Sequence, residues 1–477
     1  MIEFGTGGWR AKIGEEFTKT NVQLLAQALA DLIFEQEVES EGFVIGYDRR
    51  FLSDKAARWM AEVLSSNGIK VYFIEKISPT PLIMHTVKDY GTFYGAAITA
   101  SHNPAEYNGV KLFTKGGRDA TEEVTDEIEK KISKMNLIEV SFMDFEEAEN
   151  NNLIEKIDPF NAYIDTIISM IDTQSIKNSN MKILLDPMFG VSKTSLQTIL
   201  ITARCEVETI NDRHDTLFGG RLPSPNTHTL NRLKNMVEEG NYDLGIGTDG
   251  DADRLGIIDE KGNFIHPNDV LALLYYYLLE YKGWSGGVVR NVATTHLLDQ
   301  IANFYGEKSY EVPVGFKHIS STMEAKDALI GGESSGGLTI RGHIKGKDGI
   351  FAASILIEML SVTDKKLSEL IAEINQKFGY YNAAEIDIRF TAKEKAALIQ
   401  KLFVDKRLPD FKYEVKDVSY QDGVKVYFEN DGWIIVRFSG TEPLLRIFAE
   451  METRDKAIDL INTMKEFLEL ENYKSAI

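Results

Sequence analysis

Ser101 stands in Thr99-Ala100-Ser101-His102-Asn103-Pro104, a hydroxyl flanked by an imidazole and an amide. Asn103-Pro104 forces that turn out of helical geometry, because the residue before a proline is pushed toward extended φ/ψ. Such a loop suits a nucleophile, and Ser and Asn capping a turn is the plainer alternative. Further on, Lys111 lies between Val110 and Leu112 in EYNGVKLF, a cation inside an apolar run. A lysine depressed by burial or by nearby cations can move a proton, as can His102. Asp249-Gly250-Asp251-Ala252-Asp253-Arg254 sets three carboxylates at alternate positions. Hard cations take oxygen ligands, and Mg2+ at phosphoryl-transfer sites uses few carboxylates plus phosphate oxygens. An EF-hand loop shares the D-x-D-x-D start, and Glu260 falls at its twelfth position. But Arg254 stands where that loop needs glycine, and the flanks YDLGIGT and LGIIDE read as strands. A solvated acidic turn is the remaining rival; three like charges this close repel, and a metal is the usual remedy.

Three more stretches carry donors and acceptors. Gly332-Glu333-Ser334-Ser335-Gly336-Gly337 offers a carboxylate and two hydroxyls that suit vicinal hydroxyls of a sugar, or form an exposed turn. Arg437-Phe438-Ser439-Gly440-Thr441-Glu442-Pro443 has the makings of a phosphate nest, with a simple hairpin turn as the alternative. Gly5-Thr6-Gly7-Gly8-Trp9-Arg10 would let backbone N–H groups approach a phosphate with Arg10 behind them, or would be a flexible turn.

The elements that must hold these loops repeat. Gly42 to Ile74 reads strand, turn, helix, strand, with a helix over Asp54 to Ser66 stopped by Asn67-Gly68. The order recurs at Met181 to Ile210 and less cleanly at Val288 to Val314. Each is a candidate for a right-handed parallel crossover. After each comes a short apolar strand that runs into a polar loop: FYGAAI into TASHNP, YDLGIG into Thr248 to Arg254, ALIG into Gly332 to Gly337. Open parallel sheets put ligands at such strand ends. Asp158 to about Ile171 predicts a helix after the acidic stretch Asp144 to Glu155, and the rhythm changes around Phe378 to Ala384. There follow a strand (EIDIRF), a helix over Thr391 to Phe403, a hairpin turning at Asn430-Asp431-Gly432, a strand over Leu444 to Glu450 and a helix from Asp455. The predicted fold class is α/β: three similar doubly wound domains with mixed, mostly parallel sheets, plus a C-terminal α+β domain with an antiparallel sheet. The boundaries are 1–150, 151–257, 258–377 and 378–477.

A net charge of −20 argues against nucleic acid and anionic membranes as partners. An anionic substrate would then need a local cluster of Arg and Lys. One cysteine, Cys205, excludes an internal disulfide and fits a reducing compartment. MIEFGTGGWR shows no apolar signal region, and the apolar run Val270 to Leu279 is far below the ~20 residues that span a bilayer. A cytoplasmic location is expected.

TASHNP with NGVKLF, DGDADR, GESSG and RFSGTEP together resemble, in order, the four loops of the α-D-phosphohexomutases, the phosphoglucomutase and phosphomannomutase superfamily. The resemblance implies a phosphoserine at Ser101, Mg2+ on Asp249, Asp251 and Asp253 with a phosphoserine oxygen of Ser101 completing the shell, and Arg254 neutralising charge at the phosphoryl group. It implies a sugar contact by Glu333 and Ser335, and a phosphate contact by Arg10 and by Arg437, Ser439, Gly440 and Thr441. VPVGFK and GHIKGKDG are similar to segments of glucose-directed members, which implicates Lys317, His343 and Lys345 in substrate binding, with surface lysines and a capping histidine as the plainer alternative. Many mannose- and glucosamine-directed members carry His after GExSG; Gly337 here leans toward glucose phosphates. Phe438 departs from the proline usual in R-P-S-G-T-E-P, which puts local rigidity in doubt.

The implied activity interconverts hexose 1-phosphate and hexose 6-phosphate through a hexose 1,6-bisphosphate, which serves as intermediate and activator. Lys111 is the first candidate for the proton transfer and His102 the second. Phosphomannomutase or phosphoglucosamine mutase activity is the alternative. A metal-dependent sugar phosphatase is less favoured. So is a non-catalytic phosphosugar-binding regulator, because Ser101, DGDADR and Lys111 are all intact.

Overall fold

The computed structural model describes residues 2–5, 7–135, 140–439 and 444–470. By packing, the chain divides into two compact units, Met1–Leu274 with Ser335–Glu369, and Tyr275–Ser334 with Leu370–Ile477. Among the described residues no helix is long and apolar enough to cross a membrane.

The first unit holds two sheets. In the larger, Phe43–Tyr47 lies between Val71–Ile74 and Tyr94–Ile98, all parallel, with Ile154–Ile157 parallel at one edge. Tyr107–Thr114 then pairs antiparallel with Tyr94–Ile98, and Gly8–Lys12 antiparallel with Tyr107–Thr114. These strands read as apolar runs because both faces are covered. Gly46 and Gly95 show how closely: a Cβ on Gly46 would sit 2.5 Å from Ile83 Cγ1, and one on Gly95 2.4 Å from Val87 Cγ2. The helix Thr80–Tyr90 therefore rests directly on two strands. Adding a methyl at either glycine would overpack the contact, at about 1–3 kcal/mol. The smaller sheet runs Glu206–Thr209, Lys182–Asp186 and Leu244–Thr248 in parallel, then Leu255–Ile258 and Phe264–Ile265 antiparallel.

In the second unit Val288–Asn291 is flanked by parallel Ser309–Val312 and Ile330–Gly332. A separate five-stranded sheet, wholly antiparallel, has the order Asn382–Arg389, Leu444–Met451, Trp433–Phe438, Val424–Phe428, Val415–Ser419. The fold class is thus α/β with mixed, mostly parallel sheets and a C-terminal antiparallel α+β region. All three predicted crossovers are parallel, and each is followed by its short strand and polar loop.

Three details differ from the sequence reading. The glycine-rich start is in part a paired strand, Gly8–Lys12, because Gly109 opposite it has no Cβ: one would lie 2.1 Å from the Trp9 carbonyl oxygen. The acidic stretch from Asp144 folds as a helix, Phe145–Asn150, capped by Asp144, and then the strand Ile154–Ile157. The helix predicted to reach Phe403 is α only over Ala392–Ile399. It widens to a π-helix over Gln400–Val404, which carries Leu402 into the core.

Candidate active site

Ser101 follows the fully buried strand Tyr94–Ile98 and adopts φ 52°, the left-handed region that non-glycine residues seldom occupy. The turn is strained at the hydroxyl itself. Ser101 Oγ donates to Asp249 Oδ2 at 2.8 Å and lies 3.3 Å from His102 Nδ1. Asp249, Asp251 and Asp253 occupy the loop between the antiparallel strands Leu244–Thr248 and Leu255–Ile258. Strand flanks, not helices, dispose of the EF-hand alternative. Gly250 lets this loop reach the other, since a Cβ there would lie 2.6 Å from the Ser101 carbonyl oxygen.

The three carboxylates are buried and present oxygens within 4.8 Å of one another. Burial, then the charges of Asp251 and Asp253, push Asp249 well above the usual carboxylate range. Burial opposes charge on Asp253 too, but Lys111, Lys347 and Arg254 outweigh it and hold Asp253 well below that range. Lys111, on the strand Tyr107–Thr114, donates to Asp251 Oδ2 and Asp253 Oδ2, each at 2.6 Å. Burial alone would depress this lysine; its two carboxylates overcome that and raise it above its ordinary value. Arg254 donates its backbone N–H to Asp249 Oδ1 at 3.1 Å, and its Nε lies 3.9 Å from Asp253 Oδ1. Arg10 donates to Asn103 Oδ1 at 2.6 Å. Burial and the like charge of Arg254 bring Arg10 down to about 10. His102 is lowered well below its ordinary value by burial, then by Arg254 and Arg10. These shifts record cations crowded around the hydroxyl, the local cluster that an anionic substrate requires in an acidic chain.

Within the first unit, Ser335 is exposed and Lys345 half-buried. His343 has a buried side chain, 2.6 Å from Asp348 Oδ2 and 4.3 Å from the Phe351 ring by centroids. Asp348 caps the helix Gly349–Thr363 and also accepts from Tyr163. The structure thus places His343 in a helix-cap network and not at an open surface. In the second unit, Glu333 accepts from Asn291 Nδ2 and Gly315 N at 3.1 and 3.2 Å, and Lys317 lies half-buried in the first turn of Phe316–Lys326. Arg437 ends the strand Trp433–Phe438 with Nη2 3.4 Å from Asp422 Oδ1. Ser439 N donates to the Leu444 carbonyl at 2.8 Å. Gly440 and Thr441 lie outside the described residues.

Sequence reasoning missed four contributors. Thr80, at the start of its helix, donates from Oγ1 to Asp251 Oδ2 at 2.6 Å and from its backbone N–H to the Asp251 carbonyl at 3.0 Å. Lys347 Nζ is 3.1 Å from Asp253 Oδ2. Asp48 and Arg50 are buried beneath the Ser101 turn. The available signals were a Thr between two prolines, a third cation in GHIKGKDG, and an Asp-x-Arg at a strand end.

Family models for phosphoglucomutase/phosphomannomutase match the chain in order: α/β/α domain I at residues 1–138, domain II at 161–262, domain III at 266–378 and the C-terminal domain at 385–466. The chain belongs to the phosphoglucomutase/phosphomannomutase family. It is 31% identical to a phosphoglucomutase/phosphomannomutase of Thermococcus kodakarensis over 98% of this chain and 97% of that one. It is 30% identical to a phosphoglucosamine/phosphogalactosamine mutase of Sulfurisphaera tokodaii over 98% and 99%. A crystal structure described as a phosphomannomutase from Thermus thermophilus superposes with TM-score 0.84 at 29% identity, covering 98% of this chain and 99% of the other. The chain is therefore a mutase, an intramolecular phosphotransferase.

Two features of the mutase chain bear on that membership. Asp251 Oδ1 and Asp253 Oδ1 are buried without a hydrogen-bond partner among the described residues. Orphaned carboxylate oxygens beside a third carboxylate forced upward in pKa fit a hard divalent cation, which the triad could hold. The departure at Phe438 is accommodated by packing: its ring meets Phe390 edge-on at 5.4 Å and Phe403 at 6.1 Å.

Proposed function

We propose that this mutase interconverts hexose 1-phosphate and hexose 6-phosphate, with glucose as the hexose, through a phosphoserine at Ser101. The observation that carries the reading is Ser101 Oγ at 2.8 Å from Asp249, in the strained turn beside the buried triad. In the first half-reaction the Oγ–P bond of phosphoserine breaks, a bond forms from phosphorus to the free sugar hydroxyl oxygen, and that hydroxyl gives up its proton; in the second a sugar O–P bond breaks and the Ser101 Oγ–P bond forms. The bisphosphate turns over, its other phosphoryl returns to Ser101, and the proton goes back. Lys111, ion-paired to Asp251 and Asp253, and His102, with Nδ1 3.3 Å from Ser101 Oγ, are the candidates for moving that proton. Asp249, Asp251 and Asp253, with an oxygen of phosphorylated Ser101, would hold Mg2+, which supplies neutralisation of charge on the transferring group. Arg254 and Arg10 add fixed positive charge where a loose transition state needs it. Arg437, Ser439, Gly440 and Thr441 would hold the phosphate not being transferred. Glu333 and Ser335 would take sugar hydroxyls, with Lys317 and Lys345 as further cations. The single cysteine, buried Cys205, fits the reducing cytoplasm where we place the enzyme.

Glucose is supported by Gly337, where a Cβ would collide with Lys347 Cδ at 2.2 Å, so this loop has no room for a larger residue while Lys347 keeps its place. Relatives named as phosphoglucosamine mutases support the second reading. A coupled assay across glucose, mannose and glucosamine 1-phosphates decides: fastest turnover of glucose 1-phosphate is expected, and preference for glucosamine 1-phosphate would replace it. Intact mass should show one phosphate on the Ser101 peptide. Ser101→Ala should lose about 10,000-fold or more in kcat, the scale for removing a covalent nucleophile. Phosphate found elsewhere, or an active Ser101→Ala, would sink the assignment.

A further inference from the structure

Ser101 is held in its left-handed conformation by hydrogen bonds to both peptide groups that flank it. Its N–H donates to Thr99 Oγ1 at 2.8 Å, and Thr99 Oγ1 in turn donates to Asp48 Oδ2 at 2.6 Å. Its carbonyl accepts from Arg50 Nη2 at 2.7 Å. The same guanidinium reaches the rest of the turn. Nη2 also donates to the Asn103 carbonyl at 2.7 Å, and Nη1 to those of Pro104 and Tyr107 at 2.9 and 3.0 Å. Four carbonyls occupy the four Nη hydrogens, so none remains for a phosphate. Asp48 is fixed as firmly: its Oδ1 accepts from Arg50 N and Ser53 Oγ, each at 2.9 Å. The Arg50 guanidinium lies 4.8 Å from the Phe218 ring centroid. Strand register explains the meeting. Tyr47 pairs with Ile98, and Asp48 N donates to the Ile98 carbonyl at 3.1 Å, so residues just past one strand end face the turn past the other.

We propose that Asp48, Arg50 and Thr99 are the positioning residues of Ser101, fixing the two peptides around it so that Oγ faces the acidic triad. This rests on the phosphoserine reading above. On that reading Ser101 reacts twice per turnover, once giving and once receiving, so an error in its position enters both transfers. A misplacement on the order of 1 Å costs about 100-fold in rate. The carbonyl cradle needs the planar fork of arginine, because an ammonium on a flexible stem cannot span four acceptors.

The test begins with wild type: a phosphate localised to Ser101 and turnover of glucose 1-phosphate establish the underlying reading. Thr99→Val, Thr99→Ser and Arg50→Lys are then compared for kcat, KM and free phosphate released per turnover. Arg50→Lys is expected to lower kcat about 100-fold and Thr99→Val about 10-fold, with KM within about two-fold. Phosphate release should rise in both, because at a displaced phosphoserine the sugar hydroxyl competes less well with water for the phosphoryl group. Thr99→Ser, which keeps the hydroxyl, should restore wild-type kcat. If Arg50→Lys does not fold, the two Thr99 variants decide alone. Wild-type kcat and phosphate release in Thr99→Val, with Ser101 phosphorylated, would overturn the positioning role and leave the function standing. Wild type that never carries phosphate on Ser101 would overturn both.

Discussion

Two buried ionic clusters in this protein use the same residue types to opposite ends. In the first unit Asp249, Asp251 and Asp253 meet Lys111, Lys347 and Arg254, yet Asp251 Oδ1 and Asp253 Oδ1 accept no hydrogen bond among the described residues. In the second unit every carboxylate oxygen of the central pair is met. Arg290 donates to both oxygens of Asp299 at 2.9 and 2.6 Å and to Glu311 Oε2 at 2.6 Å. Lys425 also donates to Glu311 Oε2, at 2.7 Å, and Tyr427 closes Oε1. Lys425 lies over the rings of Tyr427 and Trp433, with its ammonium 3.1 Å from His296 Nε2. A closed cluster gains nothing from a ligand and serves to hold two elements together. An open one keeps unspent acceptors, which a cation could use. Burial and charge are common to both clusters, so neither property distinguishes a site from a clasp; satisfaction does.

Three experiments would break or sharpen that contrast. Asp249→Asn in the open cluster is expected to lower kcat/KM by about 1,000-fold while leaving thermal stability unchanged, since burial and its neighbours already disfavour charge there. Loss of fold together with activity would show that the open cluster is also a clasp. Arg290→Met in the closed cluster should do the reverse and destabilise by about 3 kcal/mol, the low end for breaking a buried pair. Lys425 still covers Glu311, and Asp299 is partly exposed, which keeps the cost at that end. Denaturant titration measures it, and an unchanged midpoint would refute the clasp. The third effect is in pH. Burial, then the like charge of Arg290, lower Lys425 to about 8 against an ordinary value of 10.5, although Glu311 opposes this. Between those values the unfolded chain binds the extra proton, so stability from this group rises with pH from about 8 to about 10.5. The wild-type urea midpoint, compared with that of Lys425→Met, should climb over this window; a flat difference would mean Lys425 keeps its charge.

What could be read from the sequence followed from local rules. Apolar runs ending in polar turns located the strand-to-loop transitions, and Asn430-Asp431-Gly432 located the hairpin, because strand burial and turn chemistry are both written in adjacent residues. Ser101 and the three aspartates were legible for the same reason. Asp48 and Arg50 were not. As Tyr47-Asp48-Arg49-Arg50 they look like a solvated turn, and their partners at Thr99 and Ser101 to Tyr107 come from a neighbouring strand's far end. The surroundings of His343 were not legible either: Asp348 lies five residues on and Phe351 in the next helix, and both pack against its ring. The π-helical turn at Gln400–Val404, which carries the buried Leu402, left no mark in the local pattern.

The contact between Gly337 and Lys347 also constrains how this loop can change by descent. A Cβ at position 337 would come within 2.2 Å of Lys347 Cδ and 2.8 Å of its Cγ, so a side chain there requires the Lys347 stem to change the path by which it reaches Asp253. A lineage exchanging Gly337 first would disturb that cation before gaining anything from the new side chain. One shortening Lys347 first would cross a step with a hole in the loop and one less charge on Asp253. The two positions are thus epistatic, and their order of substitution makes a ratchet: lineages are expected to hold one pairing or the other, with few intermediates surviving between them.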